Sequence, residues 1–181
     1  MLRNLSLFSA LMLSLMIFSI PAQADTATEI DIGVDETLAE FKKQVNGGER
    51  FLEKAKGVLV FPKVIKAGFG IGGEYGEGAL RVGGQTVDYY NTAGASIGFQ
   101  LGAQMKSIVV VFLTDDALNN FRNSSGWKAG VDGSVAVVEW GVGEDINTVD
   151  IQSPIAGFVF NNKGLMYNLT LEGSKFTKIN R

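Results

Sequence analysis

Glycine is concentrated in the stretch KAGFGIGGEYGEGAL, residues 66–80, where it occupies six of fifteen positions. Apolar residues and glycine alternate there with the period of a β-strand, and the same alternation returns in TAGASIGFQLGAQM, residues 92–105. A strand face without side chains allows another layer to approach more closely than the usual ~10 Å. We therefore predict a close-packing glycine face on two strands, formed by Gly68, Gly70, Gly72, Gly94, Gly98 and Gly102.

The other segments predict an α+β domain. Apolar residues recur at helical spacing from Val34 to Val45, and Thr114 caps a middle helix over TDDALNNFR. ERFLEKAK predicts a second short helix that ends at Gly57 in a left-handed cap. KSIVVVFL is typical of a strand covered on both faces, and PIAGFVF-NNKG-LMYNLTL predicts a hairpin. The expected fold is one domain with N-terminal helices, a middle helix and a mainly antiparallel, strongly curved or barrel-like sheet.

The first residues have the pattern of a secretory signal peptide. Arg3 precedes an apolar run from Leu5 to Ile20, and Ala22-Gln23-Ala24 forms a small-residue cleavage site. We expect a signal peptide over 1–24, a flexible N-terminus over 25–33 and the folded domain over 34–181. The chain has no cysteine, so no lipid-modified cysteine can follow the cleavage site. The predicted localisation is therefore exported and periplasmic.

Composition excludes several functional classes. Cysteine is absent, which excludes disulfides and thiol catalysis, and histidine is absent, which removes the commonest general base and metal ligand. The net charge of −3 lacks the basic excess of nucleic-acid-binding proteins. We expect no catalytic activity, no metal, no cofactor and no nucleic-acid partner.

A short sequence matches a nucleotide-binding motif but lacks the structural context that the motif requires. Residues 68–73 match GxGxxG, but a phosphate-binding turn requires a helix directly afterwards. The sequence that follows, EYGEGALRVGGQTVDYY, contains more glycine and β-forming residues and no helical periodicity. We therefore prefer a curved sheet to a dinucleotide site.

Basic residues suggest contact with an anionic lipid surface. Lys63 and Lys66 flank Val64-Ile65 and would approach Arg81 if the first glycine-rich strand folded back, whereas Lys42 and Lys43 lie on the first helix. A basic residue near an anionic membrane is worth roughly 1 kcal/mol. The candidate lipid-binding residues are thus Lys42, Lys43, Lys63, Lys66 and Arg81. The oligomeric state is left open.

Several longer segments resemble the SYLF domain family in its bacterial exported branch: LEKAKGVLVFPKVIKAGFGIGGEYGEGAL, YYNTAGASIGFQLGAQMKSIVVVFLTDDALNNFR, GWKAGVDGSVAVV and GFVFNNKGLMYNLTLEGSKFTKI. The resemblance spans about residues 38–181 and implies a lipid-binding module. Eukaryotic members bind phosphoinositides through a basic segment at the front of the domain, and some bind actin. The matching segment here is acidic before Lys42, so phosphoinositide binding is not expected. Actin is not available to a protein exported from a bacterium, so actin binding is not expected either.

Two other functions remain open at this point. The glycine face would also suit a structural envelope protein that contacts another protein or a second copy of itself. A carboxylate hydrolase would use acids such as Glu74, Glu77 and Glu139, although no spacing fixes a catalytic pair. The acidic loop GVGEDINTVD lacks the regular spacing of a calcium loop, so a solvated loop is preferred.

Overall fold

The computed structural model describes residues 25–45, 47–139, 153–164, 171 and 173–181, and for 69–71, 96–102, 137–139 and 162–164 it describes the backbone alone. Three helices and six strands lie in these ranges. The helices are α1 (Ala27–Gln44), α2 (Gly48–Lys54) and α3 (Asp115–Asn123); the strands are β1 (Gly57–Val82), β2 (Gln85–Phe112), β3 (Trp127–Lys128), β4 (Ala136–Glu139), β5 (Ile155–Gly164) and β6 (Lys175–Ile179). The predicted α+β class is confirmed.

The sheet is built on one very long antiparallel hairpin. β1 has 26 residues and β2 has 28, compared with the usual five or six. Gly83 and Gly84 join them with φ values of 58° and 81°, the left-handed pair that a tight primed turn requires. Register shifts in β1 after Phe61, Phe69 and Leu80 let the hairpin bend strongly. The strongly curved sheet predicted from the glycines is therefore confirmed.

The outer edge of β2 is shared by two strands. β5 pairs with residues 104–112 of β2, whereas β6 pairs with residues 89–93. β3 continues the sheet beyond β6, and β4 lies beyond β5 as the one parallel pair among the described strands. The two ends of β2 therefore pair with different strands, β5 at one end and β6 at the other.

Two apolar clusters cover the two faces of the base of the hairpin. Residues 108–112 of β2 are all buried, as the continuous apolar run predicted. On one face α1 packs through Ile30, Val34 and Phe41. On the other face Phe121 of α3 packs with Trp127 and Phe176. Thr114 caps α3 by accepting the N–H of Ala117, also as predicted.

Helix α1 begins earlier than the apolar periodicity indicated. The Thr26 side chain accepts the N–H of Glu29, whose carboxylate accepts the N–H of Thr26 at 2.8 Å, so the helix starts with a capping box. Residues 27–33, expected to be flexible, form its first two turns. Ile30 is buried there and Gly33 lies against Pro62.

Two local expectations are wrong. Gly57 is not a left-handed helix cap: it begins β1, where a Cβ would lie 2.7 Å from the side chain of Leu118. The NNKG segment is not a turn, because β5 continues to Gly164. The positive φ of Asn161, 55°, accompanies a register shift against β2, so the segment forms a bulge.

Candidate functional site

The structure does not gather the five predicted lipid-binding cations into one exposed cluster. Lys63 is exposed on β1, and Lys42 and Lys43 are exposed in the last turn of α1. Lys66, in contrast, is buried at 7% exposure. Three of the five residues are therefore available on the surface.

The side chain of Arg81 pairs with acidic residues of α1 instead of facing solvent. Its guanidinium is 2.8 Å from a carboxylate oxygen of Asp35 and 3.5 Å from Asp31. Asp31 also accepts hydrogen bonds from the hydroxyls of Thr86 and Tyr89 at 2.6 and 2.9 Å. These contacts fasten the end of the β1–β2 hairpin to α1. Burial and the Asp31 carboxylate raise the pKa of Tyr89.

Part of the predicted glycine face lies on the inner side of the curved β1–β2 hairpin. Gly72 is buried, Gly68 is half-buried, and a Cβ on Gly94 would lie 3.1 Å from the side chain of Glu74. The surroundings of Gly70, Gly98 and Gly102 are outside the described residues.

The closest approach occurs at two glycines that the predicted face did not include. A Cβ on Gly78 would lie 2.0 Å from the carbonyl oxygen of Val60, and one on Gly76 would lie 2.6 Å from that of Lys63. No side chain fits at such distances. Because Gly76 and Gly78 lack side chains, the second half of β1, its far half, can lie directly against the first half of the same strand. The glycine-rich sequence is therefore explained here by the curl of β1 onto itself.

The middle of the hairpin has an inverted distribution of polarity. The exposed positions form four cross-strand pairs and carry no charge; we call them the hairpin outer face: Ile65 with Met105, Ala67 with Ala103, Gly73 with Ala95 and Tyr75 with Ala93. The alternating positions point inward and are largely polar; we call them the hairpin inner face: Lys66, Glu74, Thr92, Gln104 and Lys106. Ile65, Met105 and Tyr75 are 45%, 41% and 49% exposed.

A buried ionic group lies on the inner face. The ammonium of Lys106 is 2.9 Å from one carboxylate oxygen of Glu74, and the hydroxyl of Ser174 donates to the other at 2.7 Å. The side chain of Lys106 is 1% exposed and that of Glu74 is 9% exposed. This group joins β1 and β2 to the residue that precedes β6.

Glu77, the second candidate catalytic acid, is also held in an ion pair. Glu77 is paired with the guanidinium of Arg181 and accepts the hydroxyl of Tyr75 at 2.6 Å. Burial and the adjacent Glu77 carboxylate raise the pKa of Tyr75. Glu74 and Glu77 therefore each hold a cation instead of facing each other across an open site. The side chain of Glu139, the third candidate acid, is outside the described residues.

A polar cleft of about 220 Å³ separates α1 from the sheet. Its helix side carries the exposed carboxylates of Glu36 and Glu40, which makes it unfavourable for anions. Asn161 bridges the cleft by donating to Glu40 and accepting from Gln44. The lining is Gly33, Glu36, Thr37, Glu40, Pro62, Met105, Lys106, Ser107 and Asn161.

Where side chains are described, no group of three acidic side chains is placed to hold a metal ion. The acidic loop 141–150 is outside the described residues. None of the described helices is both long enough and apolar enough to cross a bilayer.

Comparison with known proteins identifies the C-terminal part of the chain. Residues 93–180, just under half of the sequence, match the family model described as Ysc84, Las17-binding protein actin regulator, which is the SYLF domain. This part of the chain belongs to the SYLF domain family. The SYLF match includes most of β2 and all of β3 to β6, and it confirms the resemblance found in the sequence over this range. No curated protein matches the chain.

Sequence reasoning missed three features of the site. Lys66 shares its face with the glycines by simple alternation, but the pattern does not indicate that this face turns inward. Gly76 and Gly78 continue the same face past Glu74. The pairing of Glu77 with Arg181 had no local signal, since the two residues are 104 positions apart.

Proposed function

We propose that this protein is a non-enzymatic, lipid- or membrane-associated SYLF-domain protein of the cell envelope. The observation that carries the proposal is the hairpin outer face, an uncharged strip on the surface of the sheet. The SYLF family match supports the same conclusion, because the family is associated with lipid binding. The apolar leader that ends at Ala24 supports export to the envelope.

The polarity of the hairpin suits an apolar environment on its outer side. Water-facing sheets normally place polar residues outside and apolar residues inside. Here Lys66 and Lys106 are inside, whereas Ile65 and Met105 are outside as direct cross-strand neighbours. An exposed apolar strip of this kind marks an interaction surface.

The border of the strip suits the interface of a bilayer. Tyr75 is half-exposed and has a polar hydroxyl on an apolar ring, the character of residues that lie at headgroup depth. Lys63, two residues before Ile65, is exposed and can extend its ammonium towards headgroups while its stem covers apolar surface. With Lys66 buried and Arg81 paired, apolar contact contributes more than charge to attachment.

The glycine face supports a structural role within the chain better than a mating surface. Gly72 is buried, and the space beside Gly76 and Gly78 is filled by the backbone of β1 itself. A second copy of the chain bound to the hairpin outer face is the alternative to lipid, and the experiment below distinguishes the two.

Vesicle cosedimentation tests the proposal. The purified protein is mixed with phosphatidylcholine vesicles, with and without phosphatidylglycerol, over a salt series. We expect binding that persists at high salt and falls about tenfold or more in Ile65→Glu/Met105→Glu, since charge replaces apolar area at the contact. Ile32→Glu and Val131→Glu are matched controls, because both residues are exposed and apolar but lie outside the strip.

Two results would count against this function. Wild-type protein that stays in the supernatant with both vesicle types, with no lipid copurified in native mass spectrometry, rules it out. A mass above that of the monomer that Ile65→Glu/Met105→Glu abolishes, without vesicle binding, identifies a second copy as the occupant. Export is checked separately by N-terminal sequencing of the fractionated protein, which should begin at Asp25.

A further inference from the structure

The polar cleft between α1 and the sheet lies over two irregularities in the strands. On one side of β2 the register with β1 shifts around Pro62, and on the other side the register with β5 shifts around Asn161. Both shifts fall beside Ser107 of β2. Bulges of this kind are common next to active sites, because they change the direction of nearby side chains. The floor of the cleft is therefore shaped by bulges in two neighbouring strands.

Contacts with α1 close the cleft at both ends. At one end Gly33 lies against the ring of Pro62, and at the other Asn161 donates to Glu40 and accepts from Gln44. The rise of the helix from Gly33 to Glu40 is roughly 10 Å. The cleft volume of about 220 Å³ is several times the ~30 Å³ that a water molecule takes in the liquid. The cleft can therefore hold a small organic molecule.

A largely buried hydroxyl faces the cleft from the helix. Thr37 lines the cleft and is 5% exposed. Its hydroxyl has no hydrogen-bond partner among the described residues, and it is not one of the unpartnered polar atoms cut off from solvent. The hydroxyl therefore opens into the cleft, where it can accept a hydrogen bond from a ligand.

The acidic side chains of the cleft favour a cation. Glu36 and Glu40 lie one helical turn apart, about 6 Å along the axis, on the cleft side of α1. The Glu36 carboxylate has neither a hydrogen bond nor an ion pair with another described residue. Lys106 also lines the cleft, but its ammonium is held by Glu74 at 2.9 Å. The negative charge of the cleft is thus available to a bound molecule.

An organic cation suits this lining better than a metal ion. Calcium takes about six to eight oxygen ligands, whereas the described side chains include no group of three acids placed around one point. Pro62 and Met105 add apolar surface, which suits methylene groups. An ammonium group has three donors, and the carboxylates and the Thr37 hydroxyl are acceptors.

We propose that the cleft between α1 and the sheet binds a small aliphatic amine. Its ammonium group donates hydrogen bonds to the carboxylate of Glu36 and the hydroxyl of Thr37, and its methylene chain lies against Pro62 and Met105. In a diamine, the second ammonium group approaches Glu40. The site goes beyond the proposed function and does not depend on it, because Glu36 and Thr37 lie outside the hairpin outer face.

Calorimetric titration of the purified protein at low salt tests the site. Putrescine, butylamine and butanol carry two, one and no ammonium groups on the same four-carbon chain, and we expect affinity to fall in that order. Glu36→Gln should weaken putrescine binding about tenfold, since it removes the charge from a charge-assisted hydrogen bond. Thr37→Val keeps the shape but removes the hydroxyl, and it should weaken binding about threefold or more. Thr37→Ser should restore the affinity.

The controls separate the cleft from the general charge and from the fold. Glu53→Gln removes an exposed carboxylate from α2, outside the cleft, and should leave putrescine binding unchanged. Glu36→Gln should melt at the temperature of the wild type, because Glu36 is exposed and makes no described contact that the amide would lose. It should also retain vesicle cosedimentation, which depends on Ile65 and Met105.

The outcomes decide for or against the amine. Putrescine binding that Glu36→Gln and Thr37→Val weaken, and that Glu53→Gln does not, supports the site. Equal affinities of wild type and Glu36→Gln, butanol binding as tight as that of putrescine, or no putrescine binding at millimolar concentration overturns it. Calcium binding that Glu36→Gln abolishes, without putrescine binding, also overturns the amine and identifies a metal site instead. Vesicle binding in any of these cases leaves the proposed function standing.

Discussion

The guanidinium of Arg181 holds the carboxylate of Glu77, its Nε lying 3.2 Å from Oε2, although the two residues are 104 positions apart. The side chain of Glu77 is 4% exposed and that of Arg181 is 20% exposed. The pair joins the segment after β6 to the far half of β1, where that strand curls onto its own beginning. The ion pair thus closes the curved sheet at the place where Gly76 and Gly78 permit close approach.

Arg181→Met should destabilise the protein by about 2 to 3 kcal/mol, because it leaves the Glu77 carboxylate buried with only the Tyr75 hydroxyl. Denaturant unfolding at neutral pH measures the change. Lys42→Met, which removes an exposed lysine, is the control and should alter stability by less than about 0.5 kcal/mol. Equal effects of the two substitutions would show that the ion pair does not stabilise the curl.

Gly78→Ala should destabilise the protein by about 3 kcal/mol or more, since its methyl group would overlap the carbonyl of Val60 and neither backbone can move independently. Gly73→Ala is the matched control on the same strand: its nearest neighbour is the carbonyl oxygen of Gly94 at 3.8 Å. Alanine there should stabilise by about 0.5 kcal/mol through backbone entropy. Thermal unfolding compares them, and a tolerated Gly78→Ala would contradict the close approach.

The sequence alternation predicted the glycine-rich parts of β1 and β2 and their two faces, but neither the full length of these strands nor which face turns inward. That choice depends on the direction of the curl, which is set by contacts far apart in sequence, such as Gly78 with Val60. The burial of Lys66 therefore does not follow from the alternation alone. The start of α1 had a local signal that apolar periodicity ignores: Thr26 and Glu29 have the spacing of a capping box.

Two threonines on β2 should respond oppositely to replacement by valine. Thr92 is fully buried, and its hydroxyl has no hydrogen-bond partner among the described residues. Thr92→Val should therefore stabilise by about 1 kcal/mol. Thr86 donates to Asp31 at 2.6 Å, so Thr86→Val should destabilise by about 1 kcal/mol. Denaturant unfolding of both variants measures the contrast, and changes of the same sign would contradict it.

Tyr90 should make the protein less stable in alkali. Burial, and secondarily the Asp88 carboxylate, raise the pKa of Tyr90 from its ordinary value of 10.0 to about 12. Below pH 10 the phenol is protonated in both the folded and the unfolded chain. As the pH rises from 10 to 12, the unfolded chain loses this proton first, so the free energy of unfolding falls by about 1.4 kcal/mol per pH unit.

Tyr90→Phe removes this titration. Its stability relative to wild type should be constant from pH 7 to pH 9 and should improve by about 1.4 kcal/mol at pH 11. Urea unfolding at several pH values measures both proteins, and other alkaline titrations affect them equally. Parallel pH profiles up to pH 11 would mean that the phenolate of Tyr90 is tolerated in the folded chain, because its core position would then carry no penalty for ionisation.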